Sequence, residues 1–247
     1  DASALDIDQA QAALSLAESQ AAQSRSLIER ARLALLSYFP QIVLPTEAPA
    51  LSDPEMPAEP LGQLRELVIA RSHEIRAADR EAQRMTALAQ RARLDRVADP
   101  SAGLRVFSER NGIERGAGIV ASIPLGGSHR RALADRASSD ANASLIELEQ
   151  VRRSIDVTAD IDLSDATTRF EAWQASRASL ASAAAAADRT ARGYQLGAID
   201  LNDLLYAQRQ ANDARRAEIV ARAEAARAVF KLRIDSHTIW APTDERD

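Results

Sequence analysis

Three histidines are the residues whose type best suits metal binding or proton transfer, and their spacing argues against both. His73, His129 and His237 lie far apart in the chain, and none has a ligand partner at helical spacing. Each reads as a surface or interface residue. Cysteine is absent, which removes disulfides and thiolate chemistry. The serines, aspartates and histidines form no nucleophile elbow or comparable motif. Gly126-Gly127 ends a hairpin-like stretch before a helix and opens no phosphate loop. Phe170 and Trp173 read as packing anchors rather than a ligand cage. No catalytic residue, cofactor or metal site is expected, and the chain is not expected to be an enzyme.

Charge excludes a further class. The 31 basic and 36 acidic residues give a net charge of −5, and the basic residues alternate with acidic ones along helical segments. Such interleaving makes solvated faces, not a nucleic-acid surface. Aromatic residues are only 4% of the chain, and Lys231 is its one lysine. With few aromatics to build a thick core, alanine-rich helices lying close together are the expected solution. No run of ~18 apolar residues is present, so no transmembrane helix is expected. The chain opens Asp1-Ala2-Ser3 already near helical pattern, without Met or signal. A processed or incomplete chain is expected.

Proline and glycine divide the sequence. Residues 1–39 carry a helical pattern. Six of the nine prolines fall at Pro40, Pro45, Pro49, Pro54, Pro57 and Pro60, so 40–60 is a linker without regular structure. A helix is expected over 61–98, closed by Asp99-Pro100. A β-hairpin covers 101–125, a long helix 128–192, a turn 193–199 and a returning helix 200–235. Residues 61–240 make one repeat and 241–247 a loose tail. The long helix, about 65 residues at 1.5 Å each, extends roughly 95 Å. It needs partners along its length, and the two helices of half its size supply them in antiparallel orientation.

Within 101–125 the period changes to two. Ala102, Leu104 and Val106 alternate with Gly103 and Arg105; Ala117, Ile119, Ala121 and Ile123 alternate with Gly116, Gly118 and Ser122. The loop between them centres on Asn111-Gly112, a favoured hairpin turn. By alternation alone, a membrane-barrel hairpin and a soluble hairpin packed on a helix fit equally well. Position favours the barrel: between two long helices, the strand edges have only other copies to pair with. Leu104, Val106, Ile119 and Ile123 would then face lipid and Arg105 the lumen.

An internal repeat supports the same architecture. Ala4-Leu5-Asp6-Ile7-Asp8 lies over Ala198-Ile199-Asp200-Leu201-Asn202, with Ala13 and Ala17 over Ala207 and Ala211. The first helix would therefore be the last helix of a first repeat, whose beginning lies before this sequence.

Taken together, these residues resemble the TolC-like outer-membrane efflux family. The likeness runs through Arg71-Ser72-His73-Glu74-Ile75-Arg76-Ala77-Ala78, Asp99-Pro100, Ser122-Ile123-Pro124-Leu125 and, most specifically, the tip from Gly193 to Leu205. It implies a mainly α protein: long antiparallel helical hairpins forming a coiled-coil-like α-barrel, with one β-hairpin given to a trimeric transmembrane β-barrel. It implies a homotrimer in the bacterial outer membrane with a periplasmic helical extension, in contact with outer-membrane lipid. Its partners would be a periplasmic adaptor and, through it, an inner-membrane pump. Family members carry two hairpins of each kind, so roughly the first half is expected to be missing.

The resemblance also assigns roles at the tip. Gly197 matches the tight turn, Tyr194 an aromatic that holds the periplasmic aperture shut, and Asp203 an aspartate lining its narrowest ring. Tyr206 stands where a second acid would lie. Leu196, Gly197, Ala198 and Ile199 match the tip turn that docks the adaptor. Read from residues alone, Asp200 is a helix cap and Asp203 part of a solvated face. The competing function is a periplasmic adaptor whose helical hairpin is an interaction module; such proteins add compact β-domains, which this sequence lacks.

Overall fold

The structure is a computed structural model that describes residues 4–47, 49–96, 100–123 and 127–239. Asp99, Pro124, Leu125, Gly126, Trp240 and the expected 241–247 tail lie outside the described residues. The elements are α1 (Ala4–Tyr38), α2 (Leu61–Arg71), α3 (His73–Leu94), β1 (Ser101–Glu109), β2 (Glu114–Ser122), α4 (Ser128–Gln195) and α5 (Leu201–Asp235). The mainly α expectation with one β-hairpin holds. No described residue between Phe39 and Pro60 is helical or in a strand, as its prolines require.

One expected helix is two. Residues 61–98 break at Ser72, whose ψ of 123° leaves the helical region. The Ser72 hydroxyl accepts the Ile75 N–H at 3.2 Å and donates to Glu74 Oε2 at 2.8 Å, capping α3. Such a cap contributes about 1 kcal/mol. The Arg71 guanidinium donates to the carbonyls of Ser236 and His237 at 3.1 and 3.3 Å, and Arg76 donates back to the Arg71 carbonyl at 2.9 Å. These bonds fix the break.

The chain forms two compact units, one of Asp1–Ala58 with Asp162–Leu232, the other of Glu59–Ile161 with Arg233–Asp247. Both have buried seams, rich in alanine, with residues spaced by seven. In α4 the buried positions step through Ala134, Ala141 and Leu148, then through Ala159, Ala166 and Trp173; α3 contributes Ala82 and Ala89, and α5 contributes Glu218, Ala225 and Leu232. A step of seven is the coiled-coil period. Between Leu148 and Ala159 the step is eleven, the spacing of a stutter in a heptad pattern. Alanine in the seam leaves little side chain to hold neighbouring axes apart.

In the second unit, Leu64 of α2 is fully buried, worth about 1.5–3 kcal/mol. Arg65 forks across to Asp160 at 2.6 Å and Asp156 at 2.8 Å on α4. That pairing holds the Asp160 carboxyl below the ordinary carboxylate range. Backbone hydrogen bonds close the end of α5. His237 N–H reaches the Ile234 carbonyl and Thr238 N–H the Arg233 carbonyl, each at 2.9 Å, with His237 at φ 55°. This is a Schellman ending with histidine where glycine is usual. His237 is buried and its ring lies 5.0 Å from that of His73, the interface alternative of the two expected for it.

The two strands pair antiparallel from Ser101↔Ser122 to Glu109↔Glu114. They run further toward the turn than expected, into Ser108-Glu109 and Glu114-Arg115. The chain reverses with Asn111 at φ 55° and Gly112 at φ 90°, the left-handed backbone that makes Asn-Gly a turn former.

Candidate functional site: a helical tip and an amphipathic hairpin

The tip lies in the first unit. At the end of α4, Gly197 N–H reaches the Tyr194 carbonyl and Ala198 N–H the Gly193 carbonyl, both at 2.9 Å. With Gly197 at φ 72°, this is a Schellman motif with glycine at the left-handed position. A Cβ on Gly193 would stand 2.4 Å from Ile199 Cδ1, so the bare backbone of α4 is the seat for that side chain. Asp200 then starts α5, its Oδ1 accepting the Asp203 N–H at 2.9 Å. The cap expected of Asp200 is in place.

Around this turn the expected residues are brought together. Tyr194 is 41% exposed, and its hydroxyl has no hydrogen-bond partner among the described residues. Leu196 projects at 84% exposure, Ala198 is exposed, and Ile199 is half-buried on Gly193. Asp203 is exposed on the first turn of α5 and lines two shallow grooves. One runs along Ala183, Ala186 and Thr190 of α4; the other faces Gln9 and Ala12 of α1. Tyr206 borders both, donor and acceptor chemistry without a charge. Alanines Ala10, Ala13 and Ala17 of α1 line a groove with Leu205 and Arg209 of α5. The two helices matched by the internal repeat are thus neighbours, and each has 35 residues.

The hairpin lies in the second unit. Its register puts Leu104 opposite Ile119 and Val106 opposite Ala117 on one face. Leu104 is 85% exposed, Val106 81%, Ile119 81% and Ile123 74%, an apolar face that no described residue covers. Arg105, opposite Gly118, is on the other face. That face is less polar than the sequence reading made it, because Phe107 and Val120 also belong to it. The Phe107 ring lies over Gly116, where a Cβ would meet Phe107 Cζ at 2.5 Å, and the Arg105 guanidinium stands 5.9 Å from the ring centroid. Counting the alternation two residues further, through Phe107, would have found it.

Sequence reasoning also missed a buried polar cluster in the first unit. Glu218 of α5 is 2% exposed. Its Oε1 accepts Trp173 Nε1–H of α4 at 3.0 Å and Arg222 Nε–H at 2.9 Å, and its Oε2 accepts Arg222 Nη2–H at 2.7 Å. The Arg222 guanidinium, helped by the indole N–H, holds the Glu218 carboxyl below the ordinary range. Phe170 packs edge-on to Trp173 at 5.3 Å, the anchor expected of the pair. Lys231, the one lysine, pairs with the buried Asp162 of α4. No group of three or more metal-ligating side chains lies among the described residues, and none of their helices is long and apolar enough to cross a membrane.

No protein-family model matches the sequence, and no curated protein does. Solved structures do match. The transmembrane channel CusC superposes with a TM-score of 0.75 at 18% identity, over 95% of this chain and 57% of that one. The outer-membrane channel OprN gives 0.75 at 25% identity, over 95% and 55%. The MtrE outer-membrane channel of Neisseria gonorrhoeae, in its open state, gives 0.71 at 19% identity, over 94% and 56%. Helical tip, alanine seams and β-hairpin thus come together in one known architecture: the chain has the fold of the TolC-like outer-membrane channels and spans a little over half the length of those it matches.

Proposed function

We propose that the chain is part of a trimeric outer-membrane efflux channel, a passive conduit gated at its periplasmic helical tip. The observation that carries this reading is the hairpin. Its apolar face is uncovered at Leu104, Val106, Ile119 and Ile123, and its sheet has only two strands among the described residues. A two-stranded sheet with open edges and one greasy face finds partners for both in a closed barrel within lipid. Copies of the chain supply neighbouring strands; lipid covers the apolar face. The fold shared with outer-membrane channels supports the same placement, with the helices reaching into the periplasm.

In a trimer, three tips would converge on one axis, so each exposed tip residue becomes a ring. A ring of Asp203 carboxylates concentrates negative potential in a narrow mouth and attracts cations. Tyr194, whose hydroxyl is free to bond across to a neighbouring copy, would hold that mouth closed. Leu196 to Ile199 would present the turn to a periplasmic adaptor that links the channel to an inner-membrane pump.

Conductance of the complete protein in planar bilayers tests the reading. Asp203→Asn should lower cation selectivity and weaken block by multivalent cations. Tyr194→Phe should raise resting conductance and leave selectivity unchanged. Unaltered selectivity and block in Asp203→Asn would return Asp203 to a solvated helix face.

A further inference from the structure

The proline-rich segment 40–60 is secured against both helices of the α4–α5 pair. Asp53 reaches Arg177 of α4 with Oδ2 at 3.2 Å and Arg222 of α5 with Oδ1 at 3.9 Å. The Leu51 carbonyl accepts Arg222 Nη1–H at 3.1 Å. Leu51 lines a groove with Leu180 of α4 and Ile219 of α5, and Pro54 is buried. Beneath these contacts Glu218, itself buried, grips the other nitrogens of Arg222, while Arg177 lies 5.6 Å over the Trp173 ring that donates to Glu218. Both arginines are therefore aimed before the segment meets them.

We propose that residues 51–57 form a strap that locks α4 to α5, with Asp53 as the bolt and Glu218 as the residue that positions Arg222. One carboxylate joins two helices at one level, so re-crossing of the pair has to break the strap's contacts. The bolt is built to open. Asp53, Arg177 and Arg222 have side chains 51, 62 and 27% exposed, so salt weakens their attraction, whereas the Glu218–Trp173 base lies out of water. Arg177 stands 18 residues before the end of α4, about 27 Å along the helix from the tip. On the gated-tip reading, and only on it, unlocking the strap eases opening.

Limited digestion of the complete protein in detergent by a Glu-specific protease tests the lock. Cleavage at Glu55, inside the strap, is compared with cleavage at Glu47, outside it. Asp53→Asn should raise the Glu55-to-Glu47 ratio about fivefold, and Asp53→Glu should restore it. Raising salt should reproduce the increase in the unmodified protein and add little to Asp53→Asn. Equal ratios, or an equal salt response in both proteins, would overturn the lock. Should Asp53→Asn fail to fold, the salt series on the unmodified protein decides alone: a ratio indifferent to salt overturns it. Resting conductance separates the two ideas. A strap that unlocks without raising conductance removes its link to the gate and leaves the lock standing.

Discussion

Replacing Arg222 with alanine should destabilise the protein by about 3 kcal/mol. Glu218 is 2% exposed and accepts three hydrogen bonds, two of them from Arg222 at 2.9 and 2.7 Å. Without Arg222, an ionised carboxylate stays in the seam with only the indole N–H of Trp173. Breaking a buried ion pair from one side costs about 3–5 kcal/mol. The Arg222 side chain is 27% exposed, so water reaches the vacated space and the lower end applies. In urea unfolding followed by far-ultraviolet circular dichroism, the midpoint should fall by roughly 1 M. Glu218→Leu together with Arg222→Leu should recover at least half of the loss, because no charge is left behind. A single variant within about 0.5 kcal/mol of the parent, or a double variant less stable than the single, would refute this reasoning.

Three further outcomes rest on other contacts as well. Asp160 has its carboxyl lowered by Arg65, and Glu218 by Arg222, so each adds stability that is complete above the ordinary carboxylate range and lost as pH falls through the lowered value. Acid titration of the melting temperature should show this decline, and Arg65→Ala should flatten the part due to Asp160. At the tip, Gly197→Ala should cost about 1 kcal/mol in thermal melts, since φ is 72° there. Gly193→Val should displace Ile199 from its seat and increase proteolysis at the turn; an unchanged digestion pattern would contradict the packing.

Most of the fold was legible because backbone rules settle it locally. Proline fixed the linker ends at Phe39 and Leu61, Gly197 the turn after α4, and Asn111-Gly112 the hairpin. Period two gave the face of Leu104, Val106, Ile119 and Ile123, which the register reproduces. The break at Ser72 was not legible. A serine is tolerated within a helix, and what decides is Arg71 reaching Ser236 and His237, 165 and 166 residues away. The Trp173–Glu218 bond spans 45 residues, and a Glu on an Arg-rich helix reads as solvated until its partner is known. The tip residues were found through family likeness. Their clustering is now visible, while their roles rest on the proposed trimer.

Whether the hairpin crosses the outer membrane is the central claim, and one pair of variants tests it most directly. Ile119 lies on the uncovered apolar face and Val120, the next residue, on the face of Arg105, so the two share a depth and differ only in direction. Trimer yield in purified outer membranes is measured for the complete protein. Ile119→Arg should cost about 2–4 kcal/mol of insertion and sharply reduce assembled protein, while Val120→Arg, facing an aqueous lumen, should assemble nearly as well as the parent. Equal yields from the two variants would contradict the barrel and the channel built on it.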